Sequence, residues 1–310
     1  MITGIKVTAP ASISNLACGF DVLGMAMDLV ADEITGKWTD EPGIHITSMS
    51  GFKQGISYDP DQNIAGITAK AVLQHLGETK RGLDLKIHKN IPGGSGLGSS
   101  AASAVAAAFL VNELTGKTLE KKDLIPFALT GEMIASGNKV GDNIVSSMIG
   151  GLVLVRDIDT NDFHRIYMPP GLCIAVLLPS ITIHTLKARE ILKDTVPLTD
   201  MIRQSANLGS FVIGMQQSDL DLIRRSMQDM IIEPQRKSLI PHFDAVQEIA
   251  LSMGALGCSI SGAGPAIFAL CQEKLQAQDI AAAMLSVYTS QKMDARTFVT
   301  AVNHEGARKL

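Results

Sequence analysis

Residues 91–103 read Ile-Pro-Gly-Gly-Ser-Gly-Leu-Gly-Ser-Ser-Ala-Ala-Ser, and this stretch decides how the first half of the chain folds. The preceding segment, Leu83–Ile87, alternates apolar and polar residues, which predicts a β-strand. The following segment, Ser99–Leu114, predicts a long helix, because it starts on a serine cap, has an alanine-rich body and is followed by Gly116. The glycine-rich stretch is therefore expected to be a loop between a strand and the first turn of a helix.

This loop has the composition of an anion-binding site. Four glycines lie within six residues, which lets the backbone adopt positive φ and approach a bulky anion closely. The N–H groups and the macrodipole at the start of the helix favour negative charge, and serine hydroxyls can bind phosphate oxygens or magnesium. We therefore predict that this loop binds the phosphates of a nucleotide. The residues assigned to it are Pro92, Gly93, Gly94, Ser95, Gly96, Leu97, Gly98, Ser99, Ser100, Ala101 and Ala102.

Two common nucleotide-binding loops are excluded by the spacing. A P-loop requires Gly-Lys-Ser/Thr after its glycines, and residues 91–103 contain no lysine. A dinucleotide fingerprint requires Gly-x-Gly-x-x-Gly with an acidic residue about 20 residues further on, and the spacing here is different. A turn that only reverses the chain is the remaining alternative, but so many glycines cost backbone entropy without a ligand to justify them.

The composition is that of an ordinary globular protein and excludes several classes of function. The 310 residues are 46% hydrophobic and 19% charged, and this length favours two domains. The net charge of −4 argues against nucleic acid as a partner. The longest apolar stretch, residues 101–111, is far shorter than the ~20 residues that span a bilayer, and the first ten residues do not resemble a signal peptide. We expect a cytoplasmic protein with no membrane partner, whose four scattered cysteines are reduced core residues.

The rest of the chain mixes short strands and helices, which predicts an α+β fold. The polar turn at Asp157–Asp162 is the best linker candidate, so we expect one domain at residues 1–160 and a second at residues 161–310. Strands are predicted at Ile5–Ala9, Leu29–Lys37, Ile44–Met49, Leu152–Val155 and Cys173–Leu178, and helices at Gln62–Leu76, Leu124–Ile134, Asp200–Gln216, His242–Met253 and Gln276–Thr289.

Three motifs in the expected order resemble those of the GHMP kinases, the family of galactokinase, homoserine kinase, mevalonate kinase and phosphomevalonate kinase. The glycine loop resembles the family's Pro-x-x-x-Gly-Leu-Gly-Ser-Ser-Ala-Ala motif. Residues 9–24 (APASISNLACGFDVLG) and residues 257–266 (GCSISGAGPA) resemble its first and third motifs, so the resemblance spans nearly the whole chain. It implies a ribosomal protein S5 domain 2-like N-terminal domain, a ferredoxin-like C-terminal domain, and ATP and Mg²⁺ as cofactors.

Within this family the first motif is similar to that of the homoserine kinases. The Arg-Val-Asn-Leu-Ile-Gly-Glu-His segment of galactokinases is absent, whereas Ser180–Leu192 and Glu233–Arg236 show the same similarity to homoserine kinases. The resemblance implies ATP-dependent phosphorylation of L-homoserine to O-phospho-L-homoserine, on the route to threonine. Two alternatives stay open. One is another GHMP kinase acting on a mevalonate-like compound or a sugar alcohol, and the other is a non-catalytic member that binds its ligand as a sensor.

A zwitterionic amino acid needs a cation for its carboxylate and a polar or anionic group for its ammonium. Arg189 and Arg236 suit the carboxylate, because a guanidinium binds it through two parallel hydrogen bonds. Asp21 is the candidate ammonium partner, and Asn15 is a hydrogen-bonding neighbour. The resemblance also assigns two further substrate contacts, Thr185 and Gly262.

The catalytic assignments also follow from the resemblance. Glu132 is the candidate magnesium carboxylate, together with the Ser100 hydroxyl, since magnesium often takes only one or two protein oxygens besides phosphates and water. Asn143 resembles the asparagine that homoserine kinases have where several relatives have a catalytic aspartate. In that case no side-chain base is expected, and the substrate hydroxyl passes its proton to the γ-phosphate while Asn143 orients the groups.

One segment departs from the family pattern. Homoserine kinases often read Ser-Gly-x-x-His-x-Asp-Asn, and here the sequence from residue 136 to residue 143 is SGNKVGDN, with Val140 in place of the histidine. Lys139 or His184 are the candidates to replace the lost contact. A homodimer stays open, because the sequence does not determine the oligomeric state.

Overall fold

The computed structural model describes residues 4–137 and 139–310, and these residues build two β-sheets. The strands in chain order are β1 (Ile5–Asn15), β2 (Gly19–Thr39), β3 (Gly43–Gly51), β4 (Gly82–Lys89), β5 (Leu152–Asp157), β6 (Asp162–Ile166), β7 (Cys173–Pro179), β8 (Gly257–Ile260), β9 (Ile267–Cys271), β10 (Ala295–Thr300) and β11 (Arg308–Lys309). The first sheet has the order β11-β1-β2-β4-β3, and β5 extends it by pairing with β2 and with β6. The second sheet is antiparallel, in the order β10-β7-β9-β8.

Ten helices cover the two sheets in the described part of the chain. The first four pack among themselves and against the first sheet, and the ninth and tenth cover the second sheet. The helices are α1 (Ile64–His75), α2 (Ser99–Leu114), α3 (Lys121–Ser136), α4 (Asp142–Ile149), α5 (Thr185–Glu190), α6 (Leu198–Gln217), α7 (Leu220–Ser226), α8 (Glu233–Arg236), α9 (Phe243–Ser252) and α10 (Lys274–Ser290). The predicted α+β class with two sheet-and-helix units is therefore confirmed.

The central helix of the first unit, α2, is buried on every side. All residues from Ala101 to Glu113 are buried, and most of them are alanine or valine. Small side chains let a helix approach its neighbours closely, so α2 fits between β1 and β2 on one side and α1, α3 and α4 on the other. This packing fixes the start of α2, and with it the glycine loop, in the middle of the fold.

The polar turn predicted as a linker has a different role in the structure. It joins β5 to β6 in an antiparallel hairpin, and the first sheet therefore continues to Ile166. The chain also returns to this sheet at its far end, where β11 pairs with β1. A polar turn between two strands has the same local sequence signature as a linker, which explains why the sequence did not distinguish them. The division of the chain near residue 160 stays a prediction.

The four cysteines are all free thiols, and three of them, Cys18, Cys258 and Cys271, are buried. Burial raises the pKa of the Cys18 and Cys271 thiols to about 12, which keeps them protonated and unreactive. None of the helices in the described residues has both the length and the apolar character needed to cross a membrane.

Candidate active site

The glycine loop packs against the second glycine-rich segment of the chain. Gly94, Gly96 and Gly98 have φ values of 65°, 80° and 70°, as the glycine content predicted. The carbonyl of Gly96 accepts a 2.6 Å hydrogen bond from Ser261 Oγ, and the N–H of Ala266 donates to the carbonyl of Ser95. The two glycine motifs therefore form one continuous surface, although they are 165 residues apart.

The structure shows a second reason why glycine is required at two positions of this loop. A Cβ on Gly96 would lie 2.4 Å from the carbonyl oxygen of Ser261, and a Cβ on Gly98 would lie 2.2 Å from Ser12 Oγ. These two glycines are thus required by the protein's own packing as well as by any ligand. Gly93 differs, since a Cβ there would meet nothing within 4 Å and its φ is not positive. Only Gly93 among the loop glycines has room for a side chain.

A cavity of about 600 Å³ lies beside this surface. Pro92, Leu97 and Ala102 do not line it, and the side chains of Leu97 and Ala102 are buried in the core beneath the loop. Every other assigned site residue lines it: Gly93, Gly94, Ser95, Gly96, Gly98, Ser99, Ser100, Ala101, Asn15, Asp21, Glu132, Asn143, Thr185, Arg189, Arg236 and Gly262. The structure thus brings residues from both ends of the chain to one place.

The Ser100 hydroxyl and the Glu132 carboxyl form a hydrogen-bonded pair at the start of α2. Burial raises the pKa of Glu132 to about 7, although the hydrogen bond from Ser100 and the charge of Lys89 act in the opposite direction. No side chain caps the N-terminus of α2, whose N-cap is Gly98. A carboxyl whose charge burial disfavours, next to a hydroxyl, fits a site that gains a cation when the nucleotide binds.

Beneath this pair lies a buried ionic network that the sequence did not predict. Lys89 is 4% exposed and its ammonium donates to the Asp32 carboxylate, to Ser103 Oγ at 2.7 Å and to the Ser99 carbonyl at 2.8 Å. Asp32 is fully buried and also accepts from the backbone N–H groups of residues 90 and 91. This network ties the strand before the glycine loop to the first turns of α2, and Lys89 lines the cavity.

Asn143 is held by hydrogen bonds at both ends of its carboxamide. Its Oδ1 accepts from Ser12 Oγ at 2.7 Å, and its Nδ2 donates to Ser14 Oγ at 3.0 Å and to Asp142 Oδ1 at 3.3 Å. Asp142 is 2% exposed, and burial together with the nearby Asp21 raises its pKa to about 7. The serines at positions 12 and 14 point the same way, because alternate residues of a strand share a face.

Asp21 and Arg189 form an ion pair across the cavity. Arg189 Nη2 donates to both carboxylate oxygens of Asp21, at 2.9 and 2.8 Å. Asp21 belongs to the start of β2 and Arg189 to α5, which lie 168 residues apart. The two residues that the sequence assigned to opposite ends of a zwitterion are therefore in contact.

Arg236 is almost fully buried, at 3% exposure, and within the described part of the chain its hydrogen bonds go to neutral acceptors. Its Nε donates to the carbonyl of Ala188 at 2.9 Å and its Nη1 to the carbonyl of Gly262 at 3.1 Å. Burial and the positive charge of Arg189 lower the pKa of Arg236 to about 10, although Asp21 acts in the opposite direction. Two guanidinium groups, the carboxylate of Asp21 and the carboxyl of Asp142 thus share this corner of the cavity, and the charge of Asp229 also acts on Arg236.

Asn15 connects the two halves of the site. Its Nδ2 donates to the Gly262 carbonyl at 3.0 Å, and its Oδ1 accepts from the backbone N–H of Asp21 at 3.2 Å. Asn15, Leu16 and Ala17 have φ values of 73°, 42° and 62°, a left-handed turn without glycine. Such a run is sterically unfavourable for L-residues and is expected where the surrounding structure enforces it, often at functional sites.

The structure separates the two candidates that were to replace the family histidine. Lys139 forms an ion pair with Asp159 and does not line the cavity. His184 does line it, as do Val140 and Thr185. Of the two, only His184 is placed to contact a ligand.

Several residues at this site were missed from the sequence: Ser12, Ser14, Phe20, Asp32, Lys89 and Asp142. Ser12 and Ser14 carried a usable signal, because they alternate within the first motif on one strand. Lys89 carried a weaker signal: it lies on the same face of β4 as the buried Leu85 and Ile87, but a lysine is seldom buried without a charged partner. Its burial depends on Asp32, 57 residues earlier.

The chain belongs to the GHMP kinase family. The family model for the GHMP kinases N terminal domain matches residues 63–151, and the model for the GHMP kinases C terminal domain matches residues 211–290. Among individual relatives, the chain is similar to the homoserine kinase of Chloroherpeton thalassium, with 38% identity over 97% of this chain and 98% of that protein. The homoserine kinase of Xylella fastidiosa strain M12 is also 38% identical, over 98% of this chain and 94% of that protein.

Solved structures agree with this membership. The crystal structure of homoserine kinase from Cytophaga hutchinsonii matches with a TM-score of 0.97 and 41% identity, covering 100% of this chain and 98% of that one. The L. major mevalonate kinase in complex with R-mevalonate matches with a TM-score of 0.73 at 18% identity, over 97% of this chain and 99% of that one. This second likeness concerns the fold alone.

Proposed function

We propose that this chain is an ATP-dependent homoserine kinase, which transfers the γ-phosphoryl group of ATP to the side-chain hydroxyl of L-homoserine. The products are ADP and O-phospho-L-homoserine. The observation that carries the proposal is the meeting of Asp21, Arg189 and Arg236 in the cavity that the glycine loop also lines. The charged side chains are complementary to a zwitterion, and the adjacent glycine loop is complementary to a phosphate chain.

The substrate carboxylate belongs beside Arg236. This guanidinium is buried and its hydrogen bonds go to carbonyls, so no carboxylate of the described residues is bonded to it. An anion that joins Arg236 and Arg189 compensates both charges and gains charge-assisted hydrogen bonds. Asp21, already bonded to Arg189, then has a second cation to accept from, the substrate ammonium.

The nucleotide phosphates belong at the N-terminus of α2, which is uncapped by side chains and has a favourable dipole. Ser100 and Glu132 fit a magnesium ion there, with the remaining ligands supplied by phosphates and water. When bound, the ion neutralises charge on the transferring phosphoryl group. Among the described residues no cluster of three His, Cys, Asp or Glu side chains offers an alternative metal cage.

Asn143 orients the reacting groups and does not act as a base. A carboxamide does not titrate, and its oxygen already accepts from Ser12. The hydroxyl oxygen of the substrate forms the new bond to phosphorus as the bond to the β-phosphate oxygen breaks, and the hydroxyl proton moves to the transferred phosphoryl group. Positioning and charge neutralisation supply most of the rate in such reactions.

An ADP-release assay over a panel of alcohols tests the function. We expect L-homoserine to give much faster release than mevalonate, galactose or L-serine. Equal rates across the panel would overturn the assignment, and tight binding of homoserine without ADP release would favour the sensor alternative. A cytoplasmic location and a homodimer stay predictions, which cell fractionation and light scattering can check.

A further inference from the structure

We propose that Phe20 is a positioning residue for substrate binding, whose ring holds the guanidinium groups of Arg189 and Arg236 in the arrangement that receives the substrate carboxylate. This inference rests on the proposed function of the cavity. It adds a residue that neither contacts the phosphates nor takes part in proton transfer.

The geometry that carries the inference is a shared aromatic contact. The guanidinium carbon of Arg236 lies 5.0 Å from the centroid of the Phe20 ring, and that of Arg189 lies 5.4 Å from it. Both distances are within the range of cation–π attraction, in which a cation is drawn to the negative face of an aromatic ring. One ring thus contacts two cations, which belong to different helices, α5 and α8.

Two like charges need such a partner because they are held close together. The positive charge of Arg189 is one cause of the lowered pKa of Arg236, which reports repulsion between the two groups. Among the described residues, Asp21 forms its ion pair with Arg189, whereas Asp21, Asp229 and Asp142 act on Arg236 through their charges without an ion pair. An aromatic face attracts both cations without forming an ion pair, so it leaves their N–H donors free to receive a carboxylate.

Phe20 also links the arginines to the first motif. It immediately precedes Asp21, whose backbone has a φ of 61° and whose N–H is bonded to Asn15 Oδ1. The backbone that aims the Asp21 carboxylate therefore also aims the ring. Phe20 is only partly buried, unlike the fully buried phenylalanines Phe211 and Phe268 that fill the core. A partly exposed ring in contact with both arginines fits a role in arranging them, and the ring itself does not line the cavity.

Kinetics of two variants test the inference. Phe20→Leu keeps an apolar side chain but removes the aromatic face, and Phe20→Tyr keeps the face. We expect Phe20→Leu to raise the KM for L-homoserine about five- to thirtyfold, the scale for losing contacts to one or two partly desolvated cations. The KM for ATP should stay within about twofold, and Phe20→Tyr should stay within about threefold of the wild type for both substrates.

A substrate without the carboxylate makes the test specific. 3-Aminopropan-1-ol has the hydroxyl and ammonium of homoserine but no carboxylate, so Phe20→Leu should leave its kcat/KM unchanged. Equal losses for both substrates, equal effects of Leu and Tyr, or an unchanged KM for homoserine in Phe20→Leu would each overturn the inference.

A second measurement does not depend on turnover or on the identity of the substrate. In the ¹⁵N NMR spectrum, the Arg189 and Arg236 side-chain signals should show ring-current shifts that disappear in Phe20→Leu and persist in Phe20→Tyr. Unchanged arginine signals in Phe20→Leu would overturn the inference even if homoserine proved not to be the substrate. A wild-type protein inactive on homoserine would instead overturn the proposed function, so the two failures are distinguishable.

Discussion

Ser12 Oγ donates a 2.7 Å hydrogen bond to Asn143 Oδ1, and this contact joins the first motif to the N-terminal turn of α4. The glycine loop lies directly against the pair, because a Cβ on Gly98 would be 2.2 Å from Ser12 Oγ and 3.1 Å from Asn143 Oδ1. Three segments far apart in sequence therefore meet around one carboxamide. A residue that only orients the substrate must itself be fixed, and Ser12 is a main source of that rigidity.

Ser12→Ala should lower kcat about three- to tenfold, because Asn143 loses the hydrogen bond that fixes its oxygen and becomes less well oriented. Ser147→Ala is the matched control. Ser147 is also buried and its hydroxyl donates to the Pro10 carbonyl at 2.8 Å, but it is not one of the hydrogen-bond partners of the Asn143 side chain, which are Ser12, Ser14 and Asp142. Steady-state kinetics and thermal unfolding of both variants decide the question. Equal loss of kcat in both would mean that Ser12 acts only through stability.

Arg236→Ala should raise the KM for L-homoserine by roughly thirtyfold to several thousandfold, since removing one partner of a desolvated charge pair costs about 2–5 kcal/mol. The carboxylate does not change charge during transfer, so kcat should change less than KM. Arg236→Lys should recover only part of the affinity, because an ammonium cannot form the two parallel bonds.

Arg224→Ala is a suitable control for Arg236→Ala. Arg224 lies on α7, is 44% exposed in its side chain and pairs with Asp221. Kinetics with each substrate varied in turn should show no change for it. A normal KM for homoserine in Arg236→Ala would leave the carboxylate to Arg189 alone.

Gly93→Ala and Gly96→Ala should affect different properties, the first the binding of ATP and the second the stability of the fold. A Cβ on Gly93 meets no protein atom within 4 Å, so the fold should be unaffected and any effect should appear in the KM for ATP. Gly96→Ala should destabilise the fold by more than about 2 kcal/mol, because it combines positive φ with a clash against the Ser261 carbonyl. Chemical denaturation compares the two. A stable Gly96→Ala protein would mean that the two glycine motifs do not pack as described.

Glu132 should make the stability of the protein fall as pH rises, when no magnesium is present. Burial raises its pKa from 4.5 to about 7, so the folded state keeps a proton that the unfolded chain releases. The stability from this proton is fully present below pH 4.5 and is lost as pH rises through about 7. Asp142 contributes in the same direction, since its pKa is also raised to about 7.

Glu132→Gln should therefore be more stable than the wild type at pH 8, by about 1–3 kcal/mol, and nearly equal to it at pH 4.5. Glu248→Gln, on the exposed face of α9, should show no such difference. Denaturant unfolding at the two pH values measures this. A wild-type stability that does not fall between them would contradict a Glu132 carboxyl whose pKa is raised by burial.

The affinity for magnesium should depend on pH in the opposite direction and strengthen as pH rises. Because the carboxylate must lose its proton to bind the ion, the apparent affinity for Mg²⁺ with ATP should weaken by up to about tenfold per unit as pH falls below 7. Titration of activity with Mg²⁺ between pH 6 and 8 measures it, and Glu132→Gln should show a flatter profile. An identical profile in both proteins would remove Glu132 from the metal site.

The local features of this protein could be read from its sequence because they depend on neighbouring residues. The alanine-rich run predicted α2 within its observed bounds, and the run of glycines predicted the positive φ values at Gly94, Gly96 and Gly98. Proline, glycine and periodicity act over a few residues, so no tertiary information was needed. The family motifs added which charged residues to consider, and the cavity contains them.

The pairings within the site were decided only by the tertiary structure. Lys89 continues the inward face of β4, but the carboxylate that pairs with it belongs to Asp32, 57 residues earlier, and the clash that requires glycine at position 96 comes from Ser261, 165 residues away. Likewise, the proximity of Phe20 to both arginines depends on how β2 meets α5 and α8. The physical reason is that burial, desolvation and charge pairing are set by distances in space. Those distances are fixed by the packing of both units, which no local sequence pattern encodes.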